Sequence, residues 1–278
     1  MLTNLVRDLL PRRRTATHSD PQLRANVAVV VQTVLRPSVD RAIRSVFAQD
    51  FPGRIHLLVG VDRRVGARQF VDAALQDCPA NVVVTVFDPG YSTSARHGGV
   101  HTNFFGGSLR TLLSFAANSQ YVAYLDDDDW FAEDHLSTLV SAIQGKRWAF
   151  SRRWFVNPYD LEPMCVDTIE NLGPDAGVYA PIGGFACPST LMVDKLACAS
   201  ILHVWSEAGR PQGDAEDRLF FRALCESCPG HSDTGKATAF CVIKPEDGSH
   251  RLREKLIVES GYPIERLRSG GDHEYGRV

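Results

Sequence analysis

The chain has 278 residues, 30 Lys plus Arg against 33 Asp plus Glu, and a formal net charge of −3. With 44% hydrophobic and 23% charged residues its usage is ordinary for a globular protein. That usage excludes a disordered chain, a collagen-like repeat and a disulfide-stapled miniprotein. The near-neutral balance excludes a nucleic-acid binder with a basic footprint, and the longest purely apolar run, residues 27–31, falls far short of the ~20 residues of a membrane-spanning helix.

Residues 1–25 read as an extension and linker. Leu2, Leu5, Val6, Leu9 and Leu10 share one helical face, and Arg12, Arg13 and Arg14 follow. Two readings stand: a short helix resting through residues 1–14 on an anionic membrane surface, or a helix packed on the domain. The β-branched run 27–31 reads as a buried parallel strand. Residues 37–49 carry Val39, Ala42, Ile43, Val46 and Phe47 at helical spacing. Strands are expected at 55–61 and 81–87, with a helix at 68–75 between them. Residues 88–107, rich in Gly, Ser, Thr and His, read as a mobile loop. A helix at 109–117 and a strand at 121–125 follow. This alternation predicts an α/β fold with a Rossmann-like, mostly parallel sheet and helices on both faces. The division expected is a nucleotide-binding half at 26–130, an acceptor half at 131–245, and a C-terminal helix and tail at 246–278.

Seven scattered cysteines, an odd number, suit a reducing compartment and a cytoplasmic location. Cys225, Cys228, His231 and Cys241 suggest a zinc site, but Leu219, Phe220, Leu224 and Cys225 read better as the apolar side of a helix ending near Pro229. His97 and His101 flank two glycines in the loop, which does not make a preformed metal pair.

Ligands of open parallel sheets bind beyond the carboxyl ends of the strands. There the chain places Gln32-Thr33, Asp62-Arg63 and the run Asp126, Asp127, Asp128 and Asp129. Four adjacent carboxylates after a buried strand call for a cation, and hard oxygen donors suit Mg²⁺ or Mn²⁺ together with phosphate oxygens. Alternation aims Asp126 and Asp128 to one side. The plainer reading is a solvated turn capping a helix that begins near Phe131, with Asp129 as the cap.

The segment Leu125-Asp-Asp-Asp-Asp-Trp130 resembles the Asp-x-Asp signature of the family 2, GT-A fold glycosyltransferases. The strand ending Gln32-Thr-Val-Leu-Arg-Pro37 is similar to that family's first strand. Ala42, Ser45, Val46, Gln49 and Pro52 match its following helix, and Gly213-Asp-Ala-Glu-Asp-Arg218 looks like its late Glu-Asp motif. The correspondences run from Val27 to Arg222. The resemblance implies an inverting enzyme that moves a sugar from a nucleotide diphosphate donor, a UDP-sugar first, to a hydroxyl on a saccharide or glycolipid acceptor. The setting it implies is bacterial-type surface polysaccharide or glycoconjugate synthesis, at the inner face of the membrane or in the cytoplasm.

By the same resemblance Thr33, Arg36 and Asp62 belong to the nucleoside pocket. Arg110 braces the acidic cluster or reaches the diphosphate. Asp126 contacts the ribose or the metal, Asp127 belongs with the donor-binding residues, Asp128 is the main ligand of Mn²⁺ or Mg²⁺, and His250 is a further candidate ligand. Asp217 is the general base with Glu216 beside it. Gly183 and Gly184 line the acceptor side, and Trp148, Trp154 and Trp205 offer faces to a sugar or fill the core. The sequence departs from the family where Val34 replaces a base-stacking aromatic and where Asp62 is followed by Arg63 and Arg64. No Gln-x-x-Arg-Trp motif of processive members occurs. The alternatives are a sugar-1-phosphate nucleotidyltransferase, which lacks its glycine-rich loop here, and a degenerate relative acting as a binding scaffold.

Overall fold

The computed structural model describes residues 23–103, 106–207, 216–243 and 250–268. The amphipathic stretch 1–14 and the linker after it lie outside them. Eleven strands are present among the described residues. They are β1 (Ala25–Thr33), β2 (Ile55–Val61), β3 (Val82–Phe87), β4 (Ser119–Asp126), β5 (Trp130–Phe131), β6 (Trp148–Val156), β7 (Pro163–Val166), β8 (Gly173–Pro174), β9 (Gly184–Phe185), β10 (Leu191–Asp194) and β11 (His231–Val242). The helices are α1 (Ser38–Phe47), α2 (Gln69–Leu75), α3 (Gly107–Ala116), α4 (His135–Ala142), α5 (Glu216–Ser227), α6 (His250–Glu259) and α7 (Glu265–Arg268).

The main sheet has the order β3-β2-β1-β4-β10-β6-β11-β5, with β7 paired to β6, while β8 and β9 form a small ribbon. The first four strands are mutually parallel. β10 runs antiparallel to both β4 and β6, so β6 and the β11 beside it point the same way as β4. The fold is α/β with a mostly parallel sheet and helices on both faces, as the sequence alternation predicts.

Strand alternation divides the core. Val27, Val29 and Val31 of β1 face one layer, where Val39, Ile43 and Val46 of α1, Val71 of α2 and Leu136 and Leu139 of α4 pack. Ala28 and Val30 face the other, with Leu113 of α3, Phe220 and Leu224 of α5, Trp148 and Trp205. Burying each such valine contributes about 1.5–3 kcal/mol. Trp148 donates its indole N–H to the Cys228 carbonyl at 3.0 Å and is fully buried, as is Trp205. Trp154 stacks on Phe240. Core packing is therefore the correct reading for Trp148 and Trp205.

One element departs from expectation. The helix expected near Phe131 begins at His135, because Trp130 and Phe131 pair with Phe240 and Ala239 of β11. The loop at 88–103 is also folded on itself: Ser94 bridges His101, and a 3₁₀ turn spans Ala95–His97. No helix among the described residues is long and apolar enough to cross a membrane.

Candidate active site

The chain turns sharply after β4, where the Asp129 N–H donates to the Asp126 carbonyl at 3.1 Å. The turn sends the four carboxylates to different surroundings, with Arg36 shared by two of them. Asp126 forms an ion pair with Arg110. Asp127 is buried, accepts from Thr33 Oγ1 at 2.7 Å and from the Val34 N–H at 3.4 Å, and pairs with Arg36. Asp128 meets Arg36 Nη1 at 3.3 Å, and its carbonyl accepts from Arg41 Nη2 at 2.6 Å. Asp129 is buried and accepts from Ser189 Oγ at 2.6 Å and from the Val242 N–H at 3.1 Å. The guanidinium groups and donors relieve the repulsion that the bare sequence implies.

Asp129 is thus not the cap of a helix. It ties the acidic turn to β11 and to Ser189, whose hydroxyl also accepts the Asp126 N–H at 3.1 Å. Burial, reinforced by Asp128 and Asp126, pushes the Asp129 carboxyl up to about 7. Burial also raises Asp127, against the pull of Arg36. Ser189 carries no signal in the sequence, because it reaches Asp126 and Asp129 across 63 and 60 positions.

Thr33 ends β1. Its hydroxyl donates to Asp127 and accepts the Leu35 N–H at 2.8 Å. Leu35 holds a left-handed φ of 65°, which is costly for a side chain of its size. The turn survives because Val34 and Leu35 carbonyls accept three N–H groups of residues 65–67. A Cβ on Gly66 would lie 1.7 Å from the Leu35 carbonyl oxygen, so only glycine permits this approach. The turn delivers Arg36 to the acidic segment. Asp62, at the end of the neighbouring strand, accepts from Ser92 Oγ, the Thr93 N–H and Thr93 Oγ1, each at 3.1 Å. It binds the loop to the sheet beside Thr33, and a carboxylate has room for about one further donor.

Arg110 of α3 is buried, with its guanidinium 4.8 Å from the Trp205 ring. The same cation acts on Asp217, in the first turn of α5. Burial raises the Asp217 carboxyl, Arg110 opposes the rise, and Asp126 adds to it. Asp217 also accepts the Arg218 N–H at 2.8 Å. Glu216 is buried against the start of α3, its Cγ 3.3 Å from where a Gly107 Cβ would sit. The structure therefore brings Asp126, Arg110, Asp217 and Glu216 to one place, and Thr33, Arg36, Asp127 and Asp128 to its flank. His250 opens α6, and its side chain lies outside the described residues.

Asp126 and Asp128 fit a hard divalent cation: both offer carboxylate oxygens and retain access to solvent. Asp127 and Asp129 do not, being buried and already bonded to protein donors. The Cys225, Cys228, His231 and Cys241 grouping is not assembled. His231 stacks on Trp148, and Cys241 instead lies near Cys187 and Asp129, their ligand atoms within 4.8 Å of one another. The Arg153 guanidinium acts on both of these thiols, which opposes a second cation there. His97 Nδ1 contacts Arg63 Nη1 at 3.1 Å.

Beyond Asp217, α5 borders a cavity of about 280 Å³ lined by Tyr179, Gly183, Gly184, Phe185, Arg218 and Arg222. The Arg218 guanidinium lies 4.4 Å from the Tyr179 ring centroid.

No protein-family model matches the sequence, and no curated protein matches it either. Solved structures do. The chain is similar to S. aureus TarS 1–349, at a TM-score of 0.56 and 16% identity over 84% of this chain and 65% of that one. TarS 1–349 in complex with UDP-GlcNAc gives a TM-score of 0.55 and 15% identity over 84% of this chain and 66% of that one. The mannosyltransferase PcManGT from Pyrobaculum calidifontis, in complex with GDP-Man and Mn²⁺, gives 0.53 and 13% over 88% of this chain and 64% of that one. The chain thus spans just under two thirds of these proteins' lengths. At these identities the likeness is one of fold.

Proposed function

We propose that the protein is an inverting glycosyltransferase that moves a sugar from a nucleotide diphosphate donor to an acceptor hydroxyl. The observation that carries the reading is the meeting of Asp126 and Asp217 around Arg110, beside the strand ends of β1, β2 and β4. Solved structures of similar fold hold UDP-GlcNAc in one case and GDP-Man with Mn²⁺ in another, which supports a nucleotide-sugar donor. In this reading a UDP-sugar is the first donor to test, and residues 26–245 form the catalytic unit.

Asp126 and Asp128 hold Mn²⁺ or Mg²⁺. A divalent cation at these oxygens supplies charge neutralisation to the departing diphosphate. Thr33, Arg36 and Asp62 shape the nucleoside side, and Arg110 contributes a buried positive charge beside the reacting centre. Asp217 takes the proton of the acceptor hydroxyl as that oxygen attacks the anomeric carbon from the face opposite the diphosphate, so the product is inverted. Its raised affinity for protons makes it a better base than a solvated aspartate. The acceptor, a saccharide or glycolipid, enters from the cavity along α5, which Tyr179 lines and where Gly183 leaves open space. Surface polysaccharide or glycoconjugate synthesis is the matching role.

Calorimetry with UDP and GDP, each with and without Mn²⁺, tests the reading. Metal-assisted binding of one nucleotide is expected. Absence of binding under every condition would sink the donor site and leave the binding-scaffold alternative.

A further inference from the structure

We propose that Asn171 is a positioning residue for the acidic turn. It fixes the segment 187–190 so that Ser189 clamps both ends of the turn that carries Asp126 and Asp128. The inference rests on the donor-site reading above and names the residues that keep that site in shape.

Ser189 Oγ makes two bonds of opposite sense. It donates to Asp129 Oδ2 at 2.6 Å and accepts the Asp126 N–H at 3.1 Å. A hydroxyl has one hydrogen to give and lone pairs to receive with, so it can serve both at once. The two partners are the first and last residues of the acidic turn. Asp128 lies between them, so a shift of Ser189 would move the backbone that presents both candidate metal ligands.

Asn171 prevents that shift. It is fully buried, and its carboxamide grips the chain on either side of Ser189. Oδ1 accepts the Cys187 N–H at 2.6 Å and the Thr190 hydroxyl at 3.0 Å. Nδ2 donates to the Ser151 carbonyl of β6 at 2.8 Å, which ties the grip to the sheet. The short turn between these contacts is closed on itself: the Thr190 N–H and Oγ1 both donate to the Cys187 carbonyl, at 2.9 and 2.7 Å. A carboxamide can take two donors and still donate without bringing a charge into the core.

Asn171 is itself seated in a buried charge cluster. Asp167 accepts the N–H groups of Ile169, Glu170 and Asn171 at 2.9, 2.8 and 3.0 Å. Arg153 of β6 donates to Asp167 through Nε at 2.8 Å and to Glu170 through Nη2 at 2.6 Å. Arg253 of α6 meets both oxygens of Glu170 at 2.8 Å. Desolvation offsets most of what such pairs gain in attraction, so their net contribution to stability is small. What they do fix is a single conformation of residues 167–171. A path of hydrogen bonds thus runs from the cluster through Asn171 to the segment 187–190, and from Ser189 to Asp126 and Asp129.

The test measures Mn²⁺ affinity of the full chain by electron paramagnetic resonance of the free aquo ion, with UDP or GDP present, whichever binds. Ser189→Ala is expected to weaken Mn²⁺ binding about tenfold or more, the usual effect of removing a group that orients a metal ligand. Asn171→Ala is expected to weaken it to a similar degree. The double variant should be no weaker than either single one, because both changes release the same clamp. Thr190→Val removes one donor to Asn171 at nearly constant shape and serves where Asn171→Ala does not fold. It should weaken Mn²⁺ by a smaller factor, and only while Ser189 is present. Denaturation midpoints are taken on the same samples, since a residue that serves stability alone lowers the midpoint and leaves the Mn²⁺ affinity of the folded protein unchanged. Unchanged Mn²⁺ affinity in Ser189→Ala or Asn171→Ala, or in Thr190→Val where it stands in, overturns the inference. So do additive effects in the double variant. Failure of wild type to bind Mn²⁺ with either nucleotide overturns the donor site itself, and the clamp's role with it.

Discussion

Arg110 and Asp126 form an ion pair across sixteen residues of chain, joining the first turns of α3 to the end of β4. The pair sets a buried positive charge against Asp126 and within electrostatic reach of a second carboxylate, Asp217 at the start of α5. Two neighbouring elements and a third about ninety residues further along the chain thus share one electrostatic centre. Trp205 completes it by presenting its ring to Arg110 and stacking on Phe220 of α5, with ring centroids 3.9 Å apart.

If Asp217 is the base, Asp217→Asn should lower transfer by about 10²–10⁴-fold, the usual contribution of a positioned proton acceptor. Nucleotide affinity should change little, since neither Thr33 nor Arg36 contacts it. Product formation and calorimetry on the same preparation check both halves. Transfer near the wild-type rate would remove Asp217 from the mechanism.

Removing the Arg110 charge should move the pH profile. Burial already raises the Asp217 carboxyl, and Arg110 is the leading influence holding it down. In Arg110→Met that restraint is lost, so the carboxyl holds its proton to higher pH. A base works only when deprotonated, so the acid limb of kcat/KM should shift upward, with activity recovering at more alkaline pH. A limb at the wild-type position would show that Arg110 does not tune the base.

Much of the fold was legible because it rests on local periodicity. The β-branched runs at β1, β2 and β3 and the apolar stripe of α1 name their own partners: alternation sends Val29 and Val30 to opposite layers. The acidic run was legible too, since four carboxylates after a buried strand are rare. What sequence could not show was which carboxylate does what. Asp127 and Asp129 look identical to Asp126 and Asp128 until Thr33, Ser189 and Val242 arrive from distant segments to donate to them. Leu35 is a second blind spot. Glycine or asparagine marks a left-handed turn, whereas leucine does so only when tertiary hydrogen bonds from residues 65–67 hold it there. The helix start expected near Phe131 is displaced because Phe131 pairs with Ala239 of β11, more than a hundred residues away.

Gly107 should tolerate no side chain. A Cβ there would lie 1.8 Å from the Trp205 carbonyl oxygen and 3.3 Å from Glu216 Cγ. Relief requires α3 to move away from the Trp205 carbonyl and the Glu216 side chain. Gly107→Ala should therefore destabilise the protein by about 1–3 kcal/mol, the range of core overpacking. Because Arg110 lies one turn along the same helix, it should also weaken transfer. Chemical denaturation gives the first value, and a denaturation midpoint equal to wild type would contradict the close approach.

His135 should make stability fall with acid. Its ring is fully buried and stacked on Phe131, with Nδ1 2.8 Å from Thr238 Oγ1. Burial pulls the imidazole from its ordinary 6.5 down to about 3. Between those values the unfolded chain binds a proton that the folded chain refuses, so unfolding gains as pH drops. The sign follows directly: the contribution is fully present above pH 6.5 and is lost progressively as pH falls towards 3, at up to about 1.4 kcal/mol per pH unit. His56, which burial holds at about 4, adds a second proton of the same sign over part of that range. Denaturant midpoints measured from pH 7 to pH 4 should slope downward in wild type and less steeply in His135→Leu. The slope is the readout, because the substitution also removes the Thr238 hydrogen bond and so shifts the whole curve. Parallel curves for the two proteins would mean that His135 takes up no proton on unfolding in this range.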